Sequence, residues 1–431
     1  MVNPDIEASL PSHSMTRRAP IVPFDVVENV IAHLHDDKAS LSNCTIVCKD
    51  WTPLSLLLLF EKILIKSGEN HQRLHDFADF MSSSKFGYKL IRHLYLRRCD
   101  SADTNDTAVV EHVPAYDFDI RLLASALRRC EGLHSLTIYE MFWREDTIRG
   151  PEDIPTLSLP CLTKLTIKSH GPFQPIHHVH IAFSLFPSLT DFSIDGGILS
   201  DPRNIRGLLA YTASDPLVPS SICLDHIRYK AVTYSFFLFE ALRQTGSIQS
   251  LRSLEVTITS IESVEGIGKL LFHARKILDL SLDTLFLYKE LNNVTTVDRY
   301  NEGWGSLGLR WLTNLQTLTL TVSQSPPEGA TWHDPGSLLL PLLLKTVCSS
   351  QLKRFDLNMG NCENGLQQLL EIGNDWEATQ TELLRFRSLE SVKCSFVEER
   401  VRPVTSPLSR EICNGLKAKL PILEERGLLK F

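Results

Sequence analysis

Few residues in this chain have types and spacing that could do chemistry. Gly303-Trp304-Gly305-Ser306-Leu307-Gly308 has the glycine spacing of a dinucleotide-binding turn. That turn works only when a strand runs straight into it, so that the backbone lifts a pyrophosphate onto a helix N-terminus. Residues 295–302 (TTVDRYNE) are polar instead, and they predict a loop leading into a short helix. His177, His178 and His180 put three imidazoles within four residues, but no Cys, Asp or second His pair accompanies them at ligand spacing. They are expected to be solvated loop histidines. HExxH, GxSxG, P-loop and CxxC patterns do not occur. The sequence nominates no catalytic residue, no metal and no cofactor, and it argues for a binding protein rather than an enzyme.

Composition narrows the partners. The 431 residues include 44 Lys and Arg against 51 Asp and Glu, a net charge of −7. Non-specific binding to nucleic acid or to an anionic membrane needs a basic surface, so neither is expected. Apolar content of 43% with 22% charged residues predicts a globular chain. The ten Cys show no paired spacing. They read as reduced thiols of an intracellular protein, cytoplasmic or nuclear, rather than as a disulfide framework. The longest apolar runs, 54–60 and 338–344, fall well short of the roughly 20 residues that cross a bilayer, and they predict buried helices. Residues 1–18 are polar, lack an apolar signal core and read as a disordered tail.

The elements that would present any binding surface begin with residues 19–66. Pro23 suits a first helical turn. Val26, Val27, Val30, Ile31 and Leu34 then share one helical face. Asp37 is positioned to cap a second helix carrying Leu41, Cys44, Val47, Cys48 and Trp51, which Pro53 should end. A third apolar run covers 54–65. So short a module hides only a modest fraction of its surface, so some of this apolar surface must face a partner or the rest of the chain.

In order, Val22-Pro23-Phe24-Asp25-Val26-Val27, then Ile31, Leu34, Leu41 and Val47-Cys48-Lys49-Asp50-Trp51, resemble an F-box. Leu58-Leu59-Phe60-Glu61-Lys62-Ile63 resembles the Leu-Phe-x-x-Ile tail common after F-boxes in fungal proteins. Val22 stands where the family pattern has Leu, and Asp25 where it has Glu. The resemblance implies docking onto a Skp-family linker and, through it, a cullin. It makes Pro23, Val26, Val27, Val30, Ile31, Leu34, Leu41, Val47, Cys48 and Trp51 the F-box residues. Which of them touch the partner and which hold the helices together is open at this stage.

From residue 90 a second pattern takes over: apolar, two residues, apolar, one residue, apolar. It runs from Ile91/Leu94/Leu96 and Leu133/Leu136/Ile138 through Leu162/Leu165/Ile167, Leu189/Phe192/Ile194, Leu224/Ile227/Tyr229 and Leu251/Leu254/Val256. It continues as Ile277/Leu280/Leu282, Leu315/Leu318/Leu320, Leu352/Phe355/Leu357 and Leu389/Val392/Cys394. Ten copies at 26 to 42 residues are an internal repeat. The last two apolar positions alternate along a short strand. Helical patterns lie between copies at 120–130, 179–186, 234–243, 264–274, 337–347 and 366–372. One strand and one helix per unit, stacked, predict a solenoid with parallel strands on one face.

The repeat resembles the leucine-rich repeat, LxxLxLxxN/C, which Ile91-Leu94-Leu96-Cys99 fits in full while the other copies lack the final Asn or Cys. The expected fold is an α/β solenoid: residues 19–66 a three-helix F-box, 67–89 a helical linker, 90–400 an irregular leucine-rich-repeat horseshoe with parallel strands on its concave face, and 401–431 a capping helix. A doubly wound α/β domain is the competing fold. Residues beside the inward positions would line the concave face and read a protein substrate, among them Tyr95, Arg97, Tyr139, Lys168, Asp195, Arg228, Glu255 and Asp283. The resemblances together imply a substrate-recognition adaptor of an SCF-type (Skp–cullin–F-box) E3 ubiquitin ligase. A non-catalytic scaffold acting without a ligase is the alternative.

Overall fold

The computed structural model describes residues 23–67, 71–84, 87–98, 116–118, 120–139, 141–143, 157, 159–169, 182–196, 222–230, 242, 245–258, 261–283, 305, 307–323, 339–360, 375–397 and 407–431. The chain divides into two compact units, Met1–Lys62 and Ile63–Phe431.

The first unit is three helices, α1 (Phe24–His33), α2 (Lys38–Cys44) and α3 (Trp51–Glu61). The amides of Val26 and Val27 donate to the Pro23 carbonyl at 3.1 and 3.2 Å, which starts α1 directly after the proline. Asp37 caps α2 as the sequence predicts, its carboxylate accepting from the Ser40 amide at 3.0 Å and the Ser40 hydroxyl at 2.6 Å. Pro53 does not end the second helix. α2 stops at Cys44, and Pro53 lies in the first turn of α3, where its missing N–H removes no helical bond. Val47 and Cys48 therefore lie in a turn and Trp51 begins α3. The third helix ends at Glu61, and the residues after it form a strand rather than the tail of the helical module. The predicted tail, 1–18, and the first four residues of the predicted 19–66 module lie outside the described residues.

The second unit is built on one twelve-stranded sheet, with a separate small parallel pair formed by Tyr116–Phe118 and Met141–Trp143. The strands of the large sheet are β1 (Lys62–Ser67), β2 (His93–Arg98), β3 (Ser135–Tyr139), β4 (Lys164–Ser169), β5 (Asp191–Gly196) and β6 (His226–Lys230). Then come β7 (Ser253–Thr257), β8 (Asp279–Asp283), β9 (Thr317–Ser323), β10 (Arg354–Gly360), β11 (Ser391–Val397) and β12 (Leu429–Lys430). The twelve strands lie side by side in sequence order. Every neighbouring pair from β2 to β12 is parallel. A doubly wound sheet reverses its strand order at a switch point, and the crevice there takes the ligand. This order never reverses, so the arrangement is solenoid-like.

The ten sequence repeats are the ten strands β2–β11, and all thirty motif positions are 8% exposed or less. Register carries the second motif position of one strand onto the second of the next, Leu94 beside Leu136 beside Leu165, and likewise for the third. The inward rows share one core with the buried faces of α4 (Gln72–Ser83), α5 (Ile120–Leu127), α6 (Ile261–His273), α7 (Leu339–Thr346) and α8 (Trp376–Leu384). Leu74, Phe77 and Met81 anchor α4 in the predicted linker. α8 carries no expectation from the sequence, and the predicted helix at 366–372 lies outside the described residues.

One backbone contact recurs at the start of the strands. The carbonyl of the residue just before one strand accepts two consecutive amides from the next repeat. Arg92 accepts from His134 and Ser135 at 2.8 and 3.0 Å, and His134 from Thr163 and Lys164, both at 3.1 Å. Thr163, Thr190, Asp225, Arg252, Leu278, Gln316 and Lys353 repeat the arrangement. Where the turn needs more, a buried serine supplies it. The Ser349 hydroxyl donates toward the Thr313 and Leu315 carbonyls at 3.0 and 2.7 Å and accepts from the Gln351 amide at 3.2 Å.

The C-terminal cap is not one helix. Pro421 starts a second helix, so α9 (Pro407–Lys419) is followed by α10 (Pro421–Glu425). The buried Gln380 side chain accepts from the Ile422 and Leu423 amides at 2.8 and 3.3 Å, satisfying the start of α10. Gly427, at φ 66°, turns the chain into β12, which pairs with β11.

Ser349→Ala is expected to lower unfolding stability by about 1–3 kcal/mol, read as a lower urea midpoint with unchanged slope; an unmoved midpoint would show that these bonds contribute nothing. The Cys130 and Cys394 thiols are both pushed up to about 12 by burial, from an ordinary 9.0. Unfolded thiols ionise near 9.0 while the folded ones keep their protons, so stability should fall as pH rises from 9 toward 12. Urea melts at pH 8 and 10.5 test this, and the fall should shrink in Cys130→Ala/Cys394→Ala.

Candidate functional site

Two surfaces collect the residues singled out by sequence. The first is on the three-helix unit. Its core is Val27, Ile31 and Leu41, packed with Leu34, Trp51, Leu54, Leu58 and Leu59. Lys38 ties α2 to the end of α3, its ammonium donating to the Leu58 and Leu59 carbonyls at 2.7 and 3.0 Å. Burial lowers the Lys38 pKa from its ordinary value, with the nearby Glu61 opposing the shift. Cations at a helix C-terminus are favourable, and two of the unpaired carbonyls there are satisfied.

Burial divides the ten F-box-like residues into interior and exposed sets. Val27, Ile31 and Leu41 are interior, and Leu34 and Trp51 are half-buried against them. Pro23, Val26, Val30, Val47 and Cys48 are exposed. Val26 and Val30 are 45% and 44% exposed on α1, and Val47 is 59% exposed after α2. Phe24, Ile46 and Leu57 are exposed too, although none is among the ten. For Phe24 and Leu57 the signal was available in the apolar side chains left over from a helical face that buries only every third or fourth residue, while Ile46 lies in the turn after α2.

The second surface is the side of the sheet turned away from the core. Register lines up three rows there. Tyr95, Thr137, Thr166, Ser193, Arg228, Glu255 and Ser281 form the middle row on β2–β8. Arg97, Tyr139, Lys168, Asp195 and Lys230 follow one another in the row nearer the C-terminal ends, and Asp283 continues it beside Thr257. All eight residues predicted for the face are therefore on it. The remaining row, with His93, Ser135, Lys164 and Asp191, was not selected, although the period of two along a strand requires it.

Side chains on this face pair across strands, as sheet neighbours do. Lys164 meets Asp191 at 2.8 Å, and Glu255 takes both Arg228 at 3.1 Å and Lys230 at 2.8 Å. The Arg97 guanidinium sits 5.1 Å from the Tyr139 ring centre, and His93 Nδ1 lies 2.7 Å from the Ser135 hydroxyl. Arg354 meets Asp356 on its own strand at 2.8 Å, and that hydrogen bond raises the guanidinium pKa further.

Among the described residues no group of three or more His, Cys, Asp or Glu could hold a metal ion. His177, His178, His180 and Gly303 lie outside the described residues. Gly308 takes a left-handed φ of 68° at the start of the one-turn helix Leu309–Trp311, so it serves a turn. No described helix is long and apolar enough to cross a membrane. No protein-family model matches the chain, and no curated protein matches it.

Val30→Asp should change the stability of the three-helix unit by less than about 1 kcal/mol, while Ile31→Ala should cost about 2–5 kcal/mol. Thermal melts followed by circular dichroism compare them, and equal costs would refute the division into exposed and interior residues.

Proposed function

We propose that this chain is the substrate-recognition adaptor of an SCF-type E3 ubiquitin ligase. The first unit acts as an F-box that docks a Skp-family linker and, through it, a cullin. The repeat unit acts as a leucine-rich-repeat-like reader of a protein substrate. One observation carries the proposal: Val26, Val30 and Val47 stand exposed on a helical unit at positions where the sequence resembles an F-box. Apolar side chains outside so small a core gain by burial against a partner, roughly 25 cal/mol per Å² of apolar area.

The work of such an adaptor is done by position. It supplies no catalytic group. Holding substrate and ubiquitin-charged enzyme on one assembly turns an encounter in solution into a local one, at an effective concentration set by the geometry of the assembly. A linear array of parallel strands suits this role, because each strand adds outward side chains in fixed register to a long face.

Co-purification with a Skp-family linker is the test. Intact protein should bind it, and Val30→Asp should abolish binding while the melt of the repeat unit stays unchanged. Folded wild-type protein that fails to bind the linker would overturn the ligase reading and leave an interaction scaffold.

A further inference from the structure

The charges on the outer face of the sheet are segregated. Ile65 is buried and Ile63 packs on the core, so Leu64 and Lys66 of β1 face outward. With the outward positions of β2–β4 they make a stretch holding Lys66, Arg97, Lys164 and Lys168 and no carboxylate. Acids begin at β5 with Asp191 and Asp195, and from β5 to β8 they outnumber the bases. Lys164 is occupied by Asp191. The Arg97 guanidinium lies over the Tyr139 ring, and a cation–π contact does not use up the guanidinium N–H donors. Lys168 follows in the same row and has no ion-pair or hydrogen-bond partner among the described residues. Beside them Leu64 and Tyr95 are 53% and 39% exposed.

We infer that the outer face of β1–β4 is a subsite for an acidic polypeptide segment lying across the strands, with its carboxylates on Arg97 and Lys168. Strands two apart in a sheet are separated by about 10 Å, and three residues of a polyproline-II segment span about 9 Å and bring the side chain back to the same face. The segment should therefore carry Asp or Glu at positions three apart. Leu64 and Tyr95 give its apolar side chains a place to pack. This deepens the substrate-reading role proposed above and rests on it, but it does not require ligase docking.

Random 12-residue peptides displayed on phage would be selected against full-length protein, and the selected peptides titrated by fluorescence anisotropy. The expected result is enrichment of acidic residues three apart. Binding should weaken with salt and fall roughly tenfold in R97E/K168E, while Lys393→Glu at the far end of the sheet leaves it unchanged. Selection of neutral or basic peptides, selection of none, or equal binding to R97E/K168E would overturn the inference. So would displacement of the peptide by phosphatidylserine vesicles or a uridine oligonucleotide. Unchanged binding of the Skp-family linker and an unchanged melt show that the variant is folded. If wild-type protein fails to bind the linker while the acidic peptides still depend on Arg97 and Lys168, the ligase proposal fails and this one stands.

Discussion

The repeat unit depends on one backbone contact: a carbonyl just before a strand taking two consecutive amides from the next repeat. Nine residues from Arg92 to Lys353 do this in turn. Side chains alternate along a strand, so a slip of one residue would turn the whole inward row to solvent. The contact prevents that slip at each step, because it pins the residue before each strand to the residue before its neighbour. It also satisfies polar groups that would otherwise be left unpaired where the chain turns inward. Copies 26 to 42 residues apart can therefore share one register.

The three-helix unit lives under the opposite constraint, a shortage of interior. Val27, Ile31 and Leu41 are its core, and much of its remaining apolar surface is uncovered. Ser55 is fully buried on α3 with a hydroxyl that finds no partner among the described residues, a cost in a unit with little to spare. Cross-ties such as the Lys38 ammonium on the end of α3 compensate in part. Anything that bound the folded form of such a unit would stabilise it by mass action.

Register composes the outer face of the sheet. Positions unremarkable one at a time, an Arg here and a Tyr there, become neighbours once the strands are in phase. Arg97 gains its ring from Tyr139, 42 residues later, and Lys164 its carboxylate from Asp191. Small hydroxyl residues, Thr166 and Ser193, sit low between longer side chains, so the charged rows dominate what a partner would meet.

The repeat was legible in the sequence because its signal is local: three apolar positions in six residues, repeated ten times, name the strands and their inward side. The ends of the array were not legible. β1 follows an apolar helix without a break in composition, and β12 has only two residues, so neither carries the full motif. Pro53 was misplaced for a related reason, since a proline fits the first turn of one helix as well as the end of another, and spacing alone does not choose. The sequence by itself determined the parallel array, its faces and the set of F-box-like residues. Tertiary structure decided which of those residues are interior, because burial depends on what packs across a helix and not on what lies along it. It also decided where charges gather on the sheet, because that follows from register between residues some 30 positions apart.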